Sequence, residues 1–201
     1  MKLAWQTLDA AGWQQWLGAC ELVEQDSFGP KVLRCANGDY IKIFRIKRRA
    51  SLARLRNPAV RFCRNADKLR ALGIATLLPQ GLYRIPHLQR WAVRYAPLAG
   101  DTVRSLLQQG RFSEQLVAQL GAYIAQLHRK GIYFRSLHPG NVVLCPDGGF
   151  GLIDVLDCRF RAFGRPLTAA QRERNFRHFF RYDDGKLIET GVRAAYAAFT
   201  R

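Results

Sequence analysis

The distribution of apolar and polar residues predicts that the first half of the chain is mostly β-sheet. Short apolar or alternating runs bounded by turn residues are typical of strands, and they recur at residues 22–24, 31–35, 39–45, 74–78, 82–85 and 91–95. Asn37 and Gly38 stand between the second and third runs. This pair favours a tight hairpin, because both residues tolerate a positive φ. A short amphipathic stretch at residues 9–17 precedes the strands.

One long helix interrupts these strands at residues 57–72. Asn57 is a good N-cap, Pro58 suits the first turn, and Gly73 suits the position just after the last turn. The residues at helical spacing that form its apolar stripe are Phe62, Ala66 and Leu69.

After a connector at residues 95–100 the pattern becomes helical. Asp101 and Ser113 are placed as N-caps of the first two helices. The predicted helices are at residues 101–108, 113–129, 169–181 and 186–199, and two short strands are predicted at 142–144 and 150–153. We therefore predict an α+β protein with two lobes. Residues 1–96 form a small antiparallel sheet with one long helix, and residues 97–201 form a compact helical lobe.

The most informative segment runs from Gly131 to Asn141, directly after the helix predicted at residues 113–129. Asp154 stands thirteen residues after Asn141, behind the second short apolar run. In kinases, an asparagine at the end of a loop and an aspartate that follows a strand bind Mg²⁺, and this Mg²⁺ also binds the nucleotide phosphates. Magnesium favours a few protein oxygens together with phosphate oxygens and water. We therefore predict that Asn141 and Asp154 are metal ligands.

This segment resembles the protein-kinase-like superfamily. Within it, the segment is most similar to the small bacterial lipopolysaccharide-core kinases (Kdo and heptose kinases) and their toluene-tolerance relatives in pseudomonads. The matching positions are Gly131, Phe134-Arg135-Ser136, His138, Asn141 and Leu152-Ile153-Asp154. The resemblance covers residues 31–182. It implies a two-lobed fold that binds ATP and Mg²⁺ and transfers phosphate to a sugar hydroxyl of the lipopolysaccharide core, with Arg135 and His138 organising the catalytic loop.

The resemblance also implies a nucleotide-binding set in the first lobe. These kinases hold the α and β phosphates with a lysine on a central strand, and Lys42 stands in that place between two isoleucines. Tyr40 shares the face of Lys42, because side chains alternate along a strand. The alternative for Lys42 is a lysine that extends from the strand to solvent. Gly29 stands where the family has a glycine-rich loop, or it belongs to an ordinary turn. We assign Lys42, Tyr40, Gly29 and Asp67 to cofactor binding.

Two departures from the family's pattern bear on catalysis. Ser136 stands where active members have the aspartate that accepts the substrate's hydroxyl proton, and a neutral serine is not a base near neutral pH. His138 is expected either to orient the hydroxyl, to take its proton, or to form a structural hydrogen bond within the loop. The helix at residues 57–72 lacks the glutamate that usually pairs with Lys42. Its one carboxylate is Asp67, which either takes that place or is a solvated charge.

Composition adds a strong positive charge to this picture. Lys and Arg together number 32 against 15 Asp and Glu, for a formal net charge of +17. The surplus is concentrated at residues 45–70, with ten basic residues and one acid, and at residues 159–181, with seven arginines and one acid. Such segments are either solvated surface or suit anionic partners. The expected partners are a phosphorylated glycolipid of the lipopolysaccharide core and an anionic membrane surface.

The remaining composition limits where the protein works. Five cysteines with no CxxC spacing argue against a zinc site or a disulfide framework and favour free thiols in a reducing cytosol. No apolar run is long enough to span a bilayer, and the first residues lack the apolar segment of a secretory signal. We therefore expect a cytoplasmic protein, either free or peripheral at the inner membrane.

Two other functions stay open. The first is a pseudokinase, a nucleotide-binding regulator or scaffold, which Ser136 and the missing glutamate favour. The second is a basic nucleic-acid-binding module, which charge alone supports. We do not expect nucleic acid to be the main partner, because no helix-turn-helix, zinc or RRM-type pattern is present. The sequence predicts neither the acceptor hydroxyl nor the oligomeric state.

Overall fold

The structure of the protein, a computed structural model, describes residues 3–45 and 57–200. Within these residues the fold is mixed α+β, as the sequence predicts. In chain order the strands are β1 (Trp5–Thr7), β2 (Cys20–Asp26), β3 (Gly29–Cys35), β4 (Tyr40–Arg45), β5 (Ala75–Thr76), β6 (Leu78–Ile85), β7 (Arg90–Ala96), β8 (Asp101–Thr102), β9 (Ile132–Phe134), β10 (Val142–Leu144), β11 (Phe150–Leu152) and β12 (Cys158–Phe160). The helices are α1 (Ala10–Ala19), α2 (Pro58–Ala71), α3 (Val103–Gln108), α4 (Glu114–Arg129), α5 (Ala169–Phe179), α6 (Asp183–Lys186) and α7 (Glu189–Thr200).

The described chain divides into two compact units. The first contains the residues up to Ala71 together with Thr76–Pro97, and the second contains Leu72–Ala75 together with the residues from Leu98 onward. The sequence analysis places the boundary at residues 96–97 and assigns residues 72–75 to the first lobe. In the structure these four residues fold with the second unit. There Ala75 lies against Gly151 of β11, so closely that a Cβ on Gly151 would be 2.7 Å from the Ala75 carbonyl oxygen.

The first unit is built on a sheet with the strand order β1-β6-β7-β4-β3-β2. Its neighbouring strands are antiparallel, except that β1 runs parallel to β6. The predicted hairpin joins β3 to β4, and its Gly38 has a φ of 87°. β4 thus lies between β3 and β7, with Lys42 opposite Val32 and Val93. The strand that carries Lys42 is therefore an inner strand of the sheet.

The two faces of this sheet contact different helices. Ile41 is buried in an apolar cluster with Trp13 of α1. On the opposite face Phe44 contacts Phe62 of α2, with ring centroids 5.6 Å apart. Alternation along β4 separates these side chains and places Lys42 on the α2 face, where its Nζ lies 6.0 Å from the centre of the Phe62 ring.

The ends of α2 agree with the sequence signals to within one residue. Asn57 Oδ1 accepts a hydrogen bond from the Ala59 N–H at 2.9 Å, and Pro58 is the first helical residue. Gly73 has a φ of 72°, the left-handed conformation that favours glycine after a helix. The predicted stripe is fully buried and consists of Phe62, Ala66 and Leu69.

The second unit is organised around the packing of α4 on α7, and the two helices run in the same direction, with Val117 near Gly191 and Arg129 near Phe199. Gly121 of α4 lies so close to α7 that a Cβ there would be 2.6 Å from the Ala195 Cβ. Ser113 caps α4, as predicted, through its Oγ and the Leu116 N–H at 3.3 Å. Two small sheets accompany the helices. One has the order β5-β11-β10-β8, and the other pairs β9 with β12.

Three predicted elements differ from the structure. α3 is capped by Thr102, whose hydroxyl accepts the Ser105 N–H at 3.1 Å, whereas Asp101, the predicted cap, is paired with β10. The run at residues 74–78 is not one strand, because β5 and β6 belong to different sheets. The helix predicted at residues 186–199 corresponds to α7, which begins three residues later at Glu189, and a separate short helix, α6, ends at Lys186.

Among the described residues, no helix combines the length and the apolar character needed to cross a membrane.

Candidate active site

The segment predicted as the catalytic loop connects β9 to β10 in the second unit. Gly131, with a φ of 70°, follows α4 and lies against the Arg165 carbonyl oxygen, which would be 2.4 Å from an added Cβ. The loop ends in a 3₁₀ turn at Pro139–Asn141, where the Asn141 N–H donates to the His138 carbonyl oxygen at 2.9 Å. Gly131 therefore allows the close approach to Arg165 before β9, and the 3₁₀ turn ends the loop before β10.

Asn141 is buried and is held by both its side chain and its backbone. Its Nδ2 donates to the Ser136 carbonyl oxygen at 2.9 Å, while its Oδ1 accepts no hydrogen bond from a described residue. Its backbone carbonyl oxygen accepts the Ile153 N–H at 3.0 Å. Because Ile153 precedes Asp154, this bond joins the loop to the end of the strand. The two predicted metal ligands are therefore neighbours within the second unit.

Asp154 has an uncommon backbone conformation. Its φ of 51° and ψ of 46° lie in the left-handed region, which costs a residue with a Cβ about 1 kcal/mol or more. Glycine would take this conformation more easily, and the Asp154 side chain is exposed rather than packed. Backbone strain that is retained at an exposed polar residue is typical of a functional position.

Asn141 and Asp154 carry an amide oxygen and a carboxylate, which are the types of oxygen ligand that Mg²⁺ binds in proteins. One carboxylate and one amide oxygen are few ligands, as Mg²⁺ usually has when phosphate oxygens and water complete its shell. Among the described residues, no group of three or more His, Cys, Asp or Glu side chains is arranged to hold a metal. The protein's contribution to a metal site here would thus be Asn141 and Asp154.

Asp157 is a site residue that the sequence reasoning missed. Its Oδ2 accepts a hydrogen bond from Ser136 Oγ at 3.0 Å, and its backbone carbonyl oxygen accepts the Arg135 N–H at 3.4 Å. A 3₁₀ turn at Val155–Asp157 brings the residue back to the loop. The only signal in the sequence is an acid three residues after Asp154, which does not indicate this contact. The loop therefore has a carboxylate beside Ser136.

The side chain of Arg135 is directed differently from that of its neighbour Ser136. It is exposed and forms no hydrogen bond with a described residue. Its guanidinium is therefore available to an anionic partner, while its backbone holds Asp157.

His138 lies in a partly buried and basic environment. Its Nδ1 accepts the Gly140 N–H at 3.1 Å, so that the neutral ring carries its proton on Nε2. The ring stacks on His178 and meets the edge of Tyr182, with centroid distances of 6.1 Å and 5.8 Å. Burial, together with the charges of Arg104 and His178, lowers the pKa of His138. A neutral ring with its proton on Nε2 favours a structural and hydrogen-bond-donating role over that of a base.

In the first unit, Lys42 and Tyr40 lie on one face of β4. Lys42 is half-buried near the Phe62 ring, and the Tyr40 ring stacks on Tyr95 with a centroid distance of 6.0 Å. An ammonium group held over an aromatic face on an inner strand has little freedom compared with a surface lysine. Lys42 is thus half-buried on the α2 face, and its binding of nucleotide phosphates stays a prediction.

The other two residues that are predicted to bind the cofactor lie on other elements of the first unit. Gly29 begins β3 at the hairpin from β2, with a φ of 105°. The space beside its Cα is bordered by the guanidinium of Arg90, 3.6 Å from where a Cβ would be. Asp67 is half-buried on α2, and burial together with the Asp67 charge raises the pKa of Cys63 to about 12. Asp67 is therefore only partly solvated.

The structure describes all of the second basic segment of the sequence but only part of the first. Half of the ten basic residues of the cluster at residues 45–70 fall on residues 46–56, outside the described residues. The cluster at residues 159–181 belongs to the second unit. Its exposed arginines are Arg159, Arg165, Arg174, Arg177 and Arg181.

The structure thus brings together most of the predicted catalytic residues of the second unit and adds Asp157 to them. Comparison of the chain with models of known protein families and with curated protein sequences gives no match.

Proposed function

We propose that this protein is a phosphotransferase of the protein-kinase-like fold that uses ATP and Mg²⁺. The observation that carries the proposal is the link between the two candidate metal ligands. Asn141 is held by the Ser136 carbonyl and is joined through Ile153 to the strained backbone of Asp154. An amide oxygen and a carboxylate on two segments that this backbone bond joins would suit a magnesium ion that is bound to nucleotide phosphates.

Each of these residues has a defined task in the proposed reaction. A bound Mg²⁺ would supply electrostatic stabilisation of the phosphoryl group during its transfer. Asn141 and Asp154 would hold the ion, and Lys42 would bind the α and β phosphates of the nucleotide. Tyr40, on the face of Lys42, and Gly29, at the β2–β3 hairpin, would border the nucleotide.

Ser136 and Asp157 would together accept the proton of the substrate hydroxyl. Because Ser136 Oγ donates its own hydrogen to Asp157 Oδ2, its lone pairs are available to a substrate hydroxyl. As the substrate oxygen attacks phosphorus, its proton passes to Ser136 Oγ and the serine proton passes to Asp157. Positioning and charge stabilisation dominate phosphoryl transfer, so a relayed base is sufficient.

We further propose that the acceptor is a phosphorylated glycolipid of the lipopolysaccharide core. The protein would bind this acceptor at the cytoplasmic face of the inner membrane. The sugar hydroxyl is an expectation from the resemblance in the loop segment. The formal net charge of +17 and the exposed arginines of residues 159–181 support an anionic substrate at an anionic surface.

Phosphate transfer by the purified protein tests the proposal. Incorporation of phosphate from Mg·ATP into purified core glycolipid is measured for the wild type and for two variants. We expect Asp154→Asn to lower kcat by about 100-fold or more, since it removes a charge that stabilises the transition state. Asp147→Asn makes the same change in the exposed turn between β10 and β11, and it should keep wild-type activity. Equal activity of both variants would contradict the assigned metal site.

A pseudokinase is the second candidate, because Ser136 carries no carboxylate of its own. In this function the protein would bind nucleotide and regulate or scaffold a partner. Titration calorimetry with Mg·ATP distinguishes the two functions. A pseudokinase should bind Mg·ATP, and Lys42→Met should weaken this binding. If the wild type also transfers no phosphate, the protein is a pseudokinase and not an enzyme.

A further inference from the structure

We propose that a cavity on the second unit binds the phosphate group of a phosphomonoester ligand. The cavity has a volume of about 380 Å³ and lies beside β9, β12 and the start of α5. Its lining includes Arg159, Arg161 and Arg174, and none of its described lining residues is acidic. This proposal does not depend on the proposed phosphate transfer, because none of the residues that line the cavity would hold Mg²⁺, bind the nucleotide or accept the substrate proton.

Strand pairing places two of the lining residues side by side. Tyr133 of β9 is the Cα partner of Arg159 of β12 in their antiparallel pair. The adjacent pair, Phe134 and Cys158, is buried in the core of the unit. Because side chains alternate along a strand, Tyr133 and Arg159 point to the opposite side, where the cavity lies.

The arginines of the cavity are not neutralised by acids. Arg161 donates a hydrogen bond to the Pro166 carbonyl oxygen, which holds its guanidinium in place. Arg159 and Arg174 form no hydrogen bond or ion pair with a described residue. The acid next to Arg174 in the chain, Glu173, is bound by Arg193 of α7 at 3.2 Å through each carboxylate oxygen. Three guanidinium groups therefore border the cavity with their charge uncompensated.

The first turn of α5 adds donors to the same cavity. Thr168 Oγ1 accepts the Gln171 N–H at 3.3 Å and completes a capping box. The earlier amides of the turn have no partner within the helix, and Ala170 and Gln171 line the cavity. One side of the first turns of α5, near the positive end of this eleven-residue helix, thus lies along the space that the arginines border.

This chemistry suits a phosphate group. Guanidinium groups bind phosphate through paired, charge-assisted hydrogen bonds, and the volume exceeds that of a single phosphate, leaving room for part of the attached group. A phosphomonoester carries more charge than a phosphodiester and so gains more from three arginines. The attached group is either a soluble sugar or a lipid, and both present the same phosphate chemistry.

Titration calorimetry with glucose 6-phosphate tests the soluble source, with glucose as the control and ATP absent. We expect the sugar phosphate to bind and glucose not to bind. Arg159→Gln and Arg174→Gln should each weaken binding by roughly 10- to 100-fold, since each removes charged hydrogen bonds. Arg177→Gln makes the same change one turn further along α5, outside the cavity, and should alter affinity less than about twofold. All three arginines are exposed, so equal melting temperatures check that the variants are folded.

Vesicles of phosphatidylcholine that contain either phosphatidic acid or phosphatidylglycerol test the lipid source. If the ligand is a lipid, sedimentation with phosphatidic acid vesicles should exceed that with phosphatidylglycerol and should fall in Arg159→Gln and Arg174→Gln but not in Arg177→Gln. Such selective loss in either arm supports the proposal. Absence of binding in both arms overturns it, and so does an equal loss in all three variants, which would indicate non-specific attraction to a basic surface. Neither result affects the transfer assay with Asp154→Asn.

Discussion

Ser136 and Asp157 form a hydrogen bond of 3.0 Å in which the serine Oγ is the donor and the carboxylate Oδ2 is the acceptor. The two residues are 21 positions apart in the chain and meet because β12 pairs with β9. The bond places a carboxylate next to residue 136, the position at which active members of the kinase family that the loop segment resembles have an aspartate. The acid that the sequence lacks at residue 136 is thus present beside that residue in space, as the Asp157 carboxylate.

Asp157→Asn is expected to lower kcat by roughly 10²–10⁴-fold with little change in KM for ATP, because it removes the final proton acceptor but no proposed nucleotide contact. Ser136→Asp in the Asp157→Asn background should restore part of kcat, since it returns a carboxylate to the loop. Phosphate incorporation into the glycolipid measures both effects. An unchanged kcat in Asp157→Asn would limit Asp157 to a structural role.

His128 is buried between three elements of the second unit. Its Nδ1 lies 3.0 Å from the Tyr196 hydroxyl, and its Nε2 lies 3.3 Å from Asn175 Oδ1. Asn175 Nδ2 donates to the Phe134 carbonyl oxygen at 2.8 Å, which fixes its Oδ1 as the acceptor. His128 therefore carries its proton on Nε2 and is neutral.

Acidification is expected to destabilise the fold through His128. Burial lowers the pKa of His128 from its usual 6.5 to about 4. Between these two pKa values, the His128 imidazole is protonated in the unfolded chain but stays neutral in the folded protein. The free energy of unfolding therefore falls as the pH falls, by roughly 3 kcal/mol over the whole interval. Urea unfolding at several pH values should show a smaller loss for His128→Gln than for the wild type. The same pH dependence in both proteins would contradict a buried neutral His128.

Tyr123 carries a buried hydroxyl with no hydrogen-bond partner among the described residues. Its ring packs on Phe150, with a centroid distance of 5.7 Å. Tyr123→Phe keeps the ring and removes an unpaired polar atom, so it should raise the free energy of unfolding by about 1 kcal/mol. Tyr133→Phe, at a half-exposed position, should change it by less than about 0.5 kcal/mol. A loss of stability in Tyr123→Phe would show that the hydroxyl has a partner in solution.

Gly121 sets the distance between α4 and α7. A Cβ at this position would be 2.6 Å from the Ala195 Cβ and 2.7 Å from the Val192 carbonyl oxygen. Gly121→Ala should therefore lower the free energy of unfolding by about 1–3 kcal/mol, although alanine is the better helix former. Gly18→Ala in α1 meets no atom within 4 Å and should raise it by roughly 0.5–1 kcal/mol. Denaturant unfolding of both variants checks the contrast, and equal signs would refute the close helix contact.

The features that the sequence predicts well depend on local interactions. The start of α2 at Asn57 and its end before Gly73 are encoded by residues that act within one turn. The side-chain alternation in β4 that separates Ile41 from Lys42 is likewise visible in six consecutive residues. The strands β1, β9 and β12 are not predicted from the sequence, because each is short and is defined by its pairing with a distant strand rather than by a pattern of its own residues. Their partners also lie far away in the chain, as Trp5 and Leu82 do.

Local patterns in the amino-acid sequence are enough to predict the α+β class, the strand with Lys42, the capped helix α2, the basic surplus and the pair Asn141 and Asp154 as candidate ligands. The contact of the Asp157 carboxylate with Ser136 and the cavity that Arg159 and Arg174 share are seen only in the folded chain. The difference lies in the range of the interactions. Turns, caps and alternation act between near neighbours, whereas these contacts require the packing of β9, β12 and α5 to bring distant residues together.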